Sequence, residues 1–139
     1  MPDSGYFKKR PRKDSIETLI KYLKANQLIE EATLESPQVL TLKRRNKRNL
    51  RVHLTNTYIV GDADAHEILS EDPNVDAIVT MSQWNGYTHS AKASCKDRGV
   101  GLSKFGEFLG AVSYDGDKFL DYSPPSAEER EERNRRRRR

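Results

Sequence analysis

The chain has 139 residues, of which 35% are hydrophobic and 33% charged, and its net charge is +4. This length suits one domain with its own core, and no apolar run approaches the roughly 20 residues that span a bilayer. The single cysteine, Cys95, cannot form an internal disulfide, and no Cys/His spacing matches a zinc site. We therefore expect a soluble intracellular protein of the reducing cytoplasm, without membrane contact.

Positive charge is concentrated in three segments. Residues 1–13 carry a net charge of +4, residues 43–51 carry six positive charges and no acid, and residues 135–139 are all arginine. The rest of the chain is acidic. This asymmetry favours a directed electrostatic contact, with nucleic acid or with an acidic protein surface.

The composition predicts three regions. Residues 1–13 contain Pro2, Gly5 and Pro11 without periodicity and are predicted to be a disordered basic arm. Residues 14–123 are predicted to form a single α/β domain, and residues 124–139 a charged, arginine-rich tail. The first part of the tail can form an exposed helix with pairs such as Glu129–Arg133, whereas the arginine run is expected to be extended or to fold only on a partner.

The N-terminal part of the domain is predicted to be a helix followed by a β-hairpin. The helix is expected over residues 14–32, with Asp14 and Glu17 as a capping box. Its apolar face consists of Ile16, Leu19, Ile20 and Leu23. The hairpin is expected over residues 39–57, and its second strand alternates so that Leu50, Val52 and Leu54 face the core.

The loop between these strands is a candidate phosphate-binding surface, because most protein contacts to nucleic acid are made to the backbone. The alternative is a solvated hairpin tip. The predicted nucleic-acid contacts are Lys43, Arg44, Arg45, Lys47, Arg48 and Arg51 in the hairpin, Lys8, Lys9 and Arg10 in the arm, and Arg135, Arg136 and Arg137 in the tail.

Asp62, Asp64 and Glu67 are the densest carboxylate group in the chain. Hard cations prefer such oxygen ligands, so a magnesium site with a catalytic role is one interpretation. The favoured interpretation is a helix start, because Asp64 and Glu67 have capping-box spacing and acids stabilise a first turn. We predict no metal and no cofactor, with Mg²⁺ only if the chain is a nuclease.

The C-terminal half alternates strands and helices, which predicts parallel pairing with right-handed crossovers. Two short apolar strands are expected at residues 77–79 and 100–102. Between them Thr88 caps a helix that buries Ala91 and Cys95 and ends at Gly99. A last helix is expected to begin at Ser103 with Phe105, Phe108, Leu109 and Val112 on one face, and residues 119–122 to add a short edge strand or strap.

Two side chains in the loop after the first of these strands are candidate contacts for a partner or ligand. Trp84, the only tryptophan, could stack on a base or fill a partner's pocket, and Tyr87 lies close by in the sequence. Packing of Trp84 over the end of the sheet is the more typical arrangement. Cys95 is expected to be a small core residue rather than a reactive thiol.

The order helix, hairpin, helix, strand, helix, strand, helix resembles the restriction-endonuclease-like fold, and within it the Mrr-type restriction endonuclease domain. The resemblance covers about residues 50–112. The segments that carry it are Ile78-Val79-Thr80-Met81-Ser82, Tyr87-Thr88, Ala91-Lys92, Gly99-Val100-Gly101-Leu102 and Phe108-Leu109. It implies a small mixed sheet with an N-terminal helix, a β-hairpin and a βαβα C-terminal half. The alternative fold is Rossmann-like.

The resemblance implies the fold of that family, but the residues at the matching positions argue against its catalytic activity. In that family two carboxylates and a lysine lie on the central hairpin, whereas the matching strand here presents Arg51, His53 and Thr55. Hydrolysis by that route needs carboxylates that hold a metal. The first hypothesis is therefore a non-catalytic domain that binds nucleic acid or joins a nucleic-acid-processing complex.

Two other hypotheses stay open. One is an active metal-dependent nuclease that uses Asp62, Asp64 and Glu67. The other is a Rossmann-like sensing or protein-interaction subunit with a ligand near residues 82–87, although the chain has no Gly-rich phosphate loop of the known spacing. A homodimer or a larger complex is compatible with each hypothesis.

Overall fold

The first helix, α1 (Lys13–Lys24), follows the predicted apolar periodicity, and its Ile16, Leu19 and Leu23 are buried. The computed structural model describes residues 10–82, 84–122 and 127–137. Most of the predicted basic arm, residues 1–9, lies outside this part of the chain. The helix begins one residue before Asp14, with Arg12 at the N-cap and no side-chain cap hydrogen bond, so the predicted capping box is wrong.

The chain leaves the helix much earlier than predicted. The side chain of Asn26 accepts the backbone N–H of Leu28 at 2.9 Å, and strand β1 (Ile29–Ser36) follows directly. Glu, Ala and Leu in this segment all favour helix. Pairing with the next strand wins over that intrinsic preference, since β1 joins β2 (Val39–Arg44) in an antiparallel ladder from Ile29 opposite Arg44 to Ser36 opposite Val39.

The hairpin prediction is confirmed. Strand β2 pairs antiparallel with β3 (Leu50–Thr55), with Val39 opposite His53 and Leu42 opposite Leu50. Asn46, in the connecting loop, has a φ of 57°, a left-handed conformation that asparagine tolerates better than most residues.

The C-terminal half adds two parallel strands to β3. The elements in chain order are β4 (Ile59–Val60), α2 (Asp62–Glu71), β5 (Ala77–Thr80), β6 (Gly86–Tyr87), α3 (His89–Asp97), β7 (Gly101–Lys104), α4 (Phe105–Ala111), α5 (Asp117–Leu120) and α6 (Ala127–Arg137). The sheet order is β1-β2-β3-β5-β7, and β4 and β6 form a separate two-stranded parallel pair. The protein is therefore mixed α/β, with a five-stranded mixed sheet.

Several local predictions in this half are confirmed. The Thr88 side chain accepts the Ala91 N–H at 3.0 Å, Ala91 and Cys95 are buried, and Gly99 has a φ of +75°. Two predictions are wrong. Ser103 still belongs to β7, so α4 begins at Phe105, and residues 117–120 form the short helix α5 instead of an edge strand or strap.

Helices cover both faces of the sheet. On one face α1, α4 and α5 pack against inward-facing leucines and valines of β2, β3 and β5, with Phe108 and Phe119 fully covered. On the other face α2 and α3 pack against Ile78 of β5 and Leu102 of β7. The second face of β1 and β2 is more open, because its Thr33 and Lys43 are exposed.

Arg44 ties the hairpin to the chain that follows α4. Its side chain has no exposed surface, and its guanidinium donates to the carbonyl oxygens of Arg48, Val112 and Tyr114 at 2.7–3.1 Å and to Asp115 Oδ1 at 2.9 Å. Burial raises the pKa of the Asp115 carboxyl, but the hydrogen bonds from the Arg48 backbone N–H and from Arg44 outweigh it, so this pKa lies below its usual value.

Arg44→Ala should lower the free energy of unfolding by about 3 kcal/mol, because it leaves buried carbonyl oxygens without a donor. Arg45→Ala, at the exposed neighbouring position, is the matched control and should change it by less than about 0.5 kcal/mol. Urea denaturation of both variants measures the difference. Equal effects would show that the Arg44 hydrogen bonds do not stabilise the fold.

Candidate nucleic-acid interface

Four of the six hairpin cations reach the surface around the turn between β2 and β3. Lys43 and Arg45 have 56% and 62% of their side chains exposed, and each lies just under 4 Å from Glu30. Arg48 is 55% exposed and lies 3.9–4.0 Å from Asp76 and Asp115. Lys47 is half-buried and makes no ion pair within the described residues. We call Lys43, Arg45, Lys47 and Arg48 the basic tip.

The fold neutralises more of this charge than the sequence indicates. The hairpin segment contains no acid, but Glu30, Asp76 and Asp115 arrive from other elements. The pairs they form are long and solvent-exposed, and such pairs contribute about 0–1 kcal/mol each. The net positive charge of the basic tip is therefore smaller than the four charges of its own side chains.

Two predicted contacts do not belong to this surface. The guanidinium of Arg44 is buried in the hydrogen bonds described above, so its assignment to nucleic-acid contact is wrong for this structure. Arg51 lies beyond the turn on the open face of the sheet that Lys43 shares, half-buried, where its Nε donates to both carboxylate oxygens of Asp72 at 3.0 and 3.1 Å.

The terminal cations are described in part. Lys8 and Lys9 lie outside the described residues, and Arg10 is half-buried just before α1. Arg135, Arg136 and Arg137 are exposed in helix α6, so the expectation that they would be extended is wrong. Arg136 donates to Glu132 at 2.9 Å, a pair of the i,i+4 kind that the tail pattern predicted.

The candidate carboxylates are part of a helix start. Asp64 Oδ2 accepts the backbone N–H of Gly61 at 3.0 Å, and Asp62 Oδ2 accepts the Ser90 hydroxyl at 2.7 Å. The helix begins at Asp62, with Gly61 at the N-cap and Asp64 three residues later, so the predicted Asp64–Glu67 capping box is wrong. Within the described residues, no group of three or more acids, histidines or cysteines that could hold a metal occurs, and Glu67 adds no third ligand.

Trp84 is not packed over the sheet. Its side chain is 76% exposed, which overturns the packing interpretation. Ile59 of β4 pairs with Gly86, and the Tyr58 carbonyl accepts the Gly86 N–H, so the loop of Trp84 leads into the strand that pairs with β4, where Tyr58 (65%) and Ile59 (52%) are also exposed. We call Tyr58, Ile59 and Trp84 the apolar patch.

Tyr87, the other candidate contact, faces inward. Its hydroxyl donates to the Glu107 carboxylate at 2.8–2.9 Å and accepts from Lys92 Nζ at 3.2 Å. Burial and the hydrogen bond to Glu107 raise the pKa of Tyr87 well above its usual value. These contacts join β6, α3 and α4, so the geometry gives Tyr87 a structural role.

Cys95 is inert in this environment. It is fully buried, and burial raises the pKa of its thiol to about 11, so almost none of it is thiolate at neutral pH. The prediction of a core cysteine is confirmed.

The basic tip and the apolar patch lie at opposite ends of the sheet. The basic tip joins the end of β2 to the start of β3, whereas Trp84 follows the end of β5, which runs parallel to β3. Strand β3 has six residues, or about 20 Å. A single small ligand therefore cannot bridge the two surfaces.

Comparison of the chain with protein-family models, curated proteins and solved structures finds no match. Among the described residues, no helix combines the length and the apolar character that crossing a bilayer requires.

His53 is a buried group whose importance the alternation of β3 did not indicate. It is 8% exposed, and its Nδ1 is buried without a hydrogen-bond partner in the described chain. Burial lowers the pKa of His53, Asp72 opposes this shift and Arg51 adds to it. The folded protein therefore holds the imidazole neutral.

Stability should fall as the pH is lowered from about 7 to 5. The unfolded chain protonates His53 near its usual pKa of about 6.5, whereas the folded chain resists protonation, so acid favours unfolding. His53→Leu should remove this part of the pH dependence of the urea midpoint. His66→Gln, at an exposed histidine, is the control and should retain it. An unchanged slope in His53→Leu would assign the pH dependence to other groups.

Proposed function

We propose that this chain is a non-catalytic, restriction-endonuclease-like domain that binds the backbone of nucleic acid through the basic tip. The observation that carries the proposal is the set of four surface cations, Lys43, Arg45, Lys47 and Arg48, around one hairpin turn whose backbone is hydrogen-bonded to other elements at Arg45 and Arg48. Cations grouped at one turn can contact neighbouring phosphates of a nucleic-acid backbone.

The non-catalytic assignment is supported by the chemistry of the hairpin. No residue of β2 or β3 is an aspartate or glutamate, so these strands offer no carboxylate ligand for a metal. The carboxylates Asp62 and Asp64 are already engaged in hydrogen bonds around the start of α2. The resemblance to the endonuclease scaffold is compatible with the helix, hairpin and βαβ order of the described chain.

Reversing two charges of the basic tip should abolish most of the binding. In Arg45→Glu/Lys47→Glu, affinity for a short labelled duplex should fall by more than tenfold, and the slope of log K against log salt should decrease by about 2. Fluorescence anisotropy between about 50 and 200 mM salt measures both quantities.

The matched control is Lys13→Glu/Lys104→Glu, which makes the same charge change at exposed positions at the start of α1 and the end of β7. It should lower affinity only slightly, because Lys104 lies at the end of the sheet opposite the basic tip and Lys13 lies at the end of α1 farther from β1. Equal losses in the two double variants would mean that only net charge matters. Absence of duplex binding by the unaltered chain at low salt would refute the proposal.

The exposed apolar patch favours a second candidate function, membership of a protein complex. Aromatic residues with more than half of their side chains exposed are typical of protein interfaces, where they supply much of the binding energy. The simplest partner is a second copy of this chain.

Self-association through the apolar patch should be concentration-dependent and lost in Trp84→Ser. Sedimentation velocity over a hundredfold concentration range measures it. Leu34→Ser, at an exposed apolar residue of β1, is the control and should associate like the unaltered chain. A monomer at all concentrations would exclude self-association and direct the search to a different protein partner.

A further inference from the structure

The sheet face opposite α1 carries an open cleft of about 360 Å³ that adjoins the basic tip. Its polar lining includes Thr33 of β1, Thr41 and Lys43 of β2, and Asn49 and Arg51 at the start of β3. Thr33, Thr41 and Arg51 are direct neighbours in one row across the three strands. Because Lys43 belongs to both surfaces, the cleft continues the basic tip onto the sheet.

Arg51 is held in a fixed orientation at the cleft. Its backbone N–H donates to Asp76 Oδ2 at 2.9 Å, and its carbonyl accepts the Asp76 N–H at 2.7 Å. Its Nε donates to both oxygens of Asp72, whose side chain is only 13% exposed. One edge of the guanidinium is therefore occupied by a carboxylate at the end of α2.

The other edge of the guanidinium is available. Within the described residues, Nη1 and Nη2 of Arg51 donate no hydrogen bond, and 39% of the side chain is exposed. Two parallel N–H donors in one plane match two oxygens of a phosphate, and an arginine already positioned by a carboxylate loses little side-chain entropy on binding.

We propose that Arg51 binds one phosphodiester of the nucleic-acid backbone in this cleft, with Lys43 and Asn49 beside it. This inference rests on the proposed function and adds to it a specific phosphate subsite. A strand that contacts the basic tip needs only to continue past Lys43 to place its next phosphates over Arg51.

The charges of the cleft select a diester over a monoester. Glu31 lies opposite Lys43 in the ladder, and Asp76 lies 4.0 Å from Arg48, so the cations and acids around the cleft nearly balance. Binding then depends on directed hydrogen bonds more than on net attraction. A monoester, with a charge near −2, is repelled by Glu31 and Asp76 more strongly than a diester with a charge of −1.

The test removes the two coplanar N–H donors of Arg51 and keeps its positive charge. Arg51→Lys can still pair with Asp72 but cannot present two coplanar donors, so duplex affinity should fall by about tenfold while the salt slope stays unchanged. This pattern differs from that of Arg45→Glu/Lys47→Glu, which should flatten the slope. Arg98→Lys, at an exposed arginine after α3, is the matched control and should bind like the unaltered chain.

A second measurement avoids dependence on the stability of the variant. In the ¹⁵N-labelled full chain, dimethyl phosphate should shift an Nη–Hη resonance of Arg51 more than inorganic phosphate does at equal concentration. An unmoved resonance would overturn the subsite. If Arg51→Lys binds duplex normally while the basic-tip variant does not, the subsite is refuted and the proposed function stands. If Arg51→Lys loses affinity while the basic-tip variant binds duplex normally, the subsite is supported and the role of the basic tip is refuted.

Discussion

Strand β3 joins the two halves of the sheet, because it pairs antiparallel with β2 and parallel with β5. Its register is fixed by side chains as well as by the ladder, since Asp76 binds the backbone of Arg51 from the start of β5. A slip of one residue would exchange Leu50, Val52 and Leu54 with the polar residues between them and would bury an arginine in the apolar core. The position of Arg51 at the cleft follows from this constraint.

The same alternation separates the cations of the hairpin into two roles. Leu40, Leu42 and Arg44 alternate along β2, so Arg44 shares the core side with the leucines, whereas Lys43 falls on the open face. A count of charges along the segment cannot detect this difference. The two-residue period of the strand does show this difference. Continued from Leu40 and Leu42 to the next alternate position, it identifies Arg44 as an inward-facing residue.

The parts of the fold that the sequence predicts are those with strong local signals. The hairpin alternates, Thr88 offers a cap and Gly99 a left-handed stop, and each of these lies where it was expected. Strand β1 could not be predicted in this way, because its residues favour helix and only the partner strand makes it extended. The cleft was missed for the same reason, since one of its walls is β1.

The surroundings of the candidate site depend on contacts between distant segments. Glu30, Asp72 and Asp115 reach the hairpin cations only after folding, and none lies within the basic segment itself. Trp84 shows the opposite effect, since its size suggested burial and no element of the described chain covers it. The degree of charge compensation and of aromatic exposure is therefore a property of the tertiary structure.

The open face of β1 and β2 connects the basic tip to the cleft. An extended polymer that leaves the basic tip and follows β3 would pass the cleft at Arg51 before it approached the opposite end of the sheet. His53, two residues further along β3, is covered near Asp72 at the end of α2, so the open path ends there. In the proposed complex one strand would contact the basic tip and the cleft, whereas the apolar patch lies at the opposite end of the sheet.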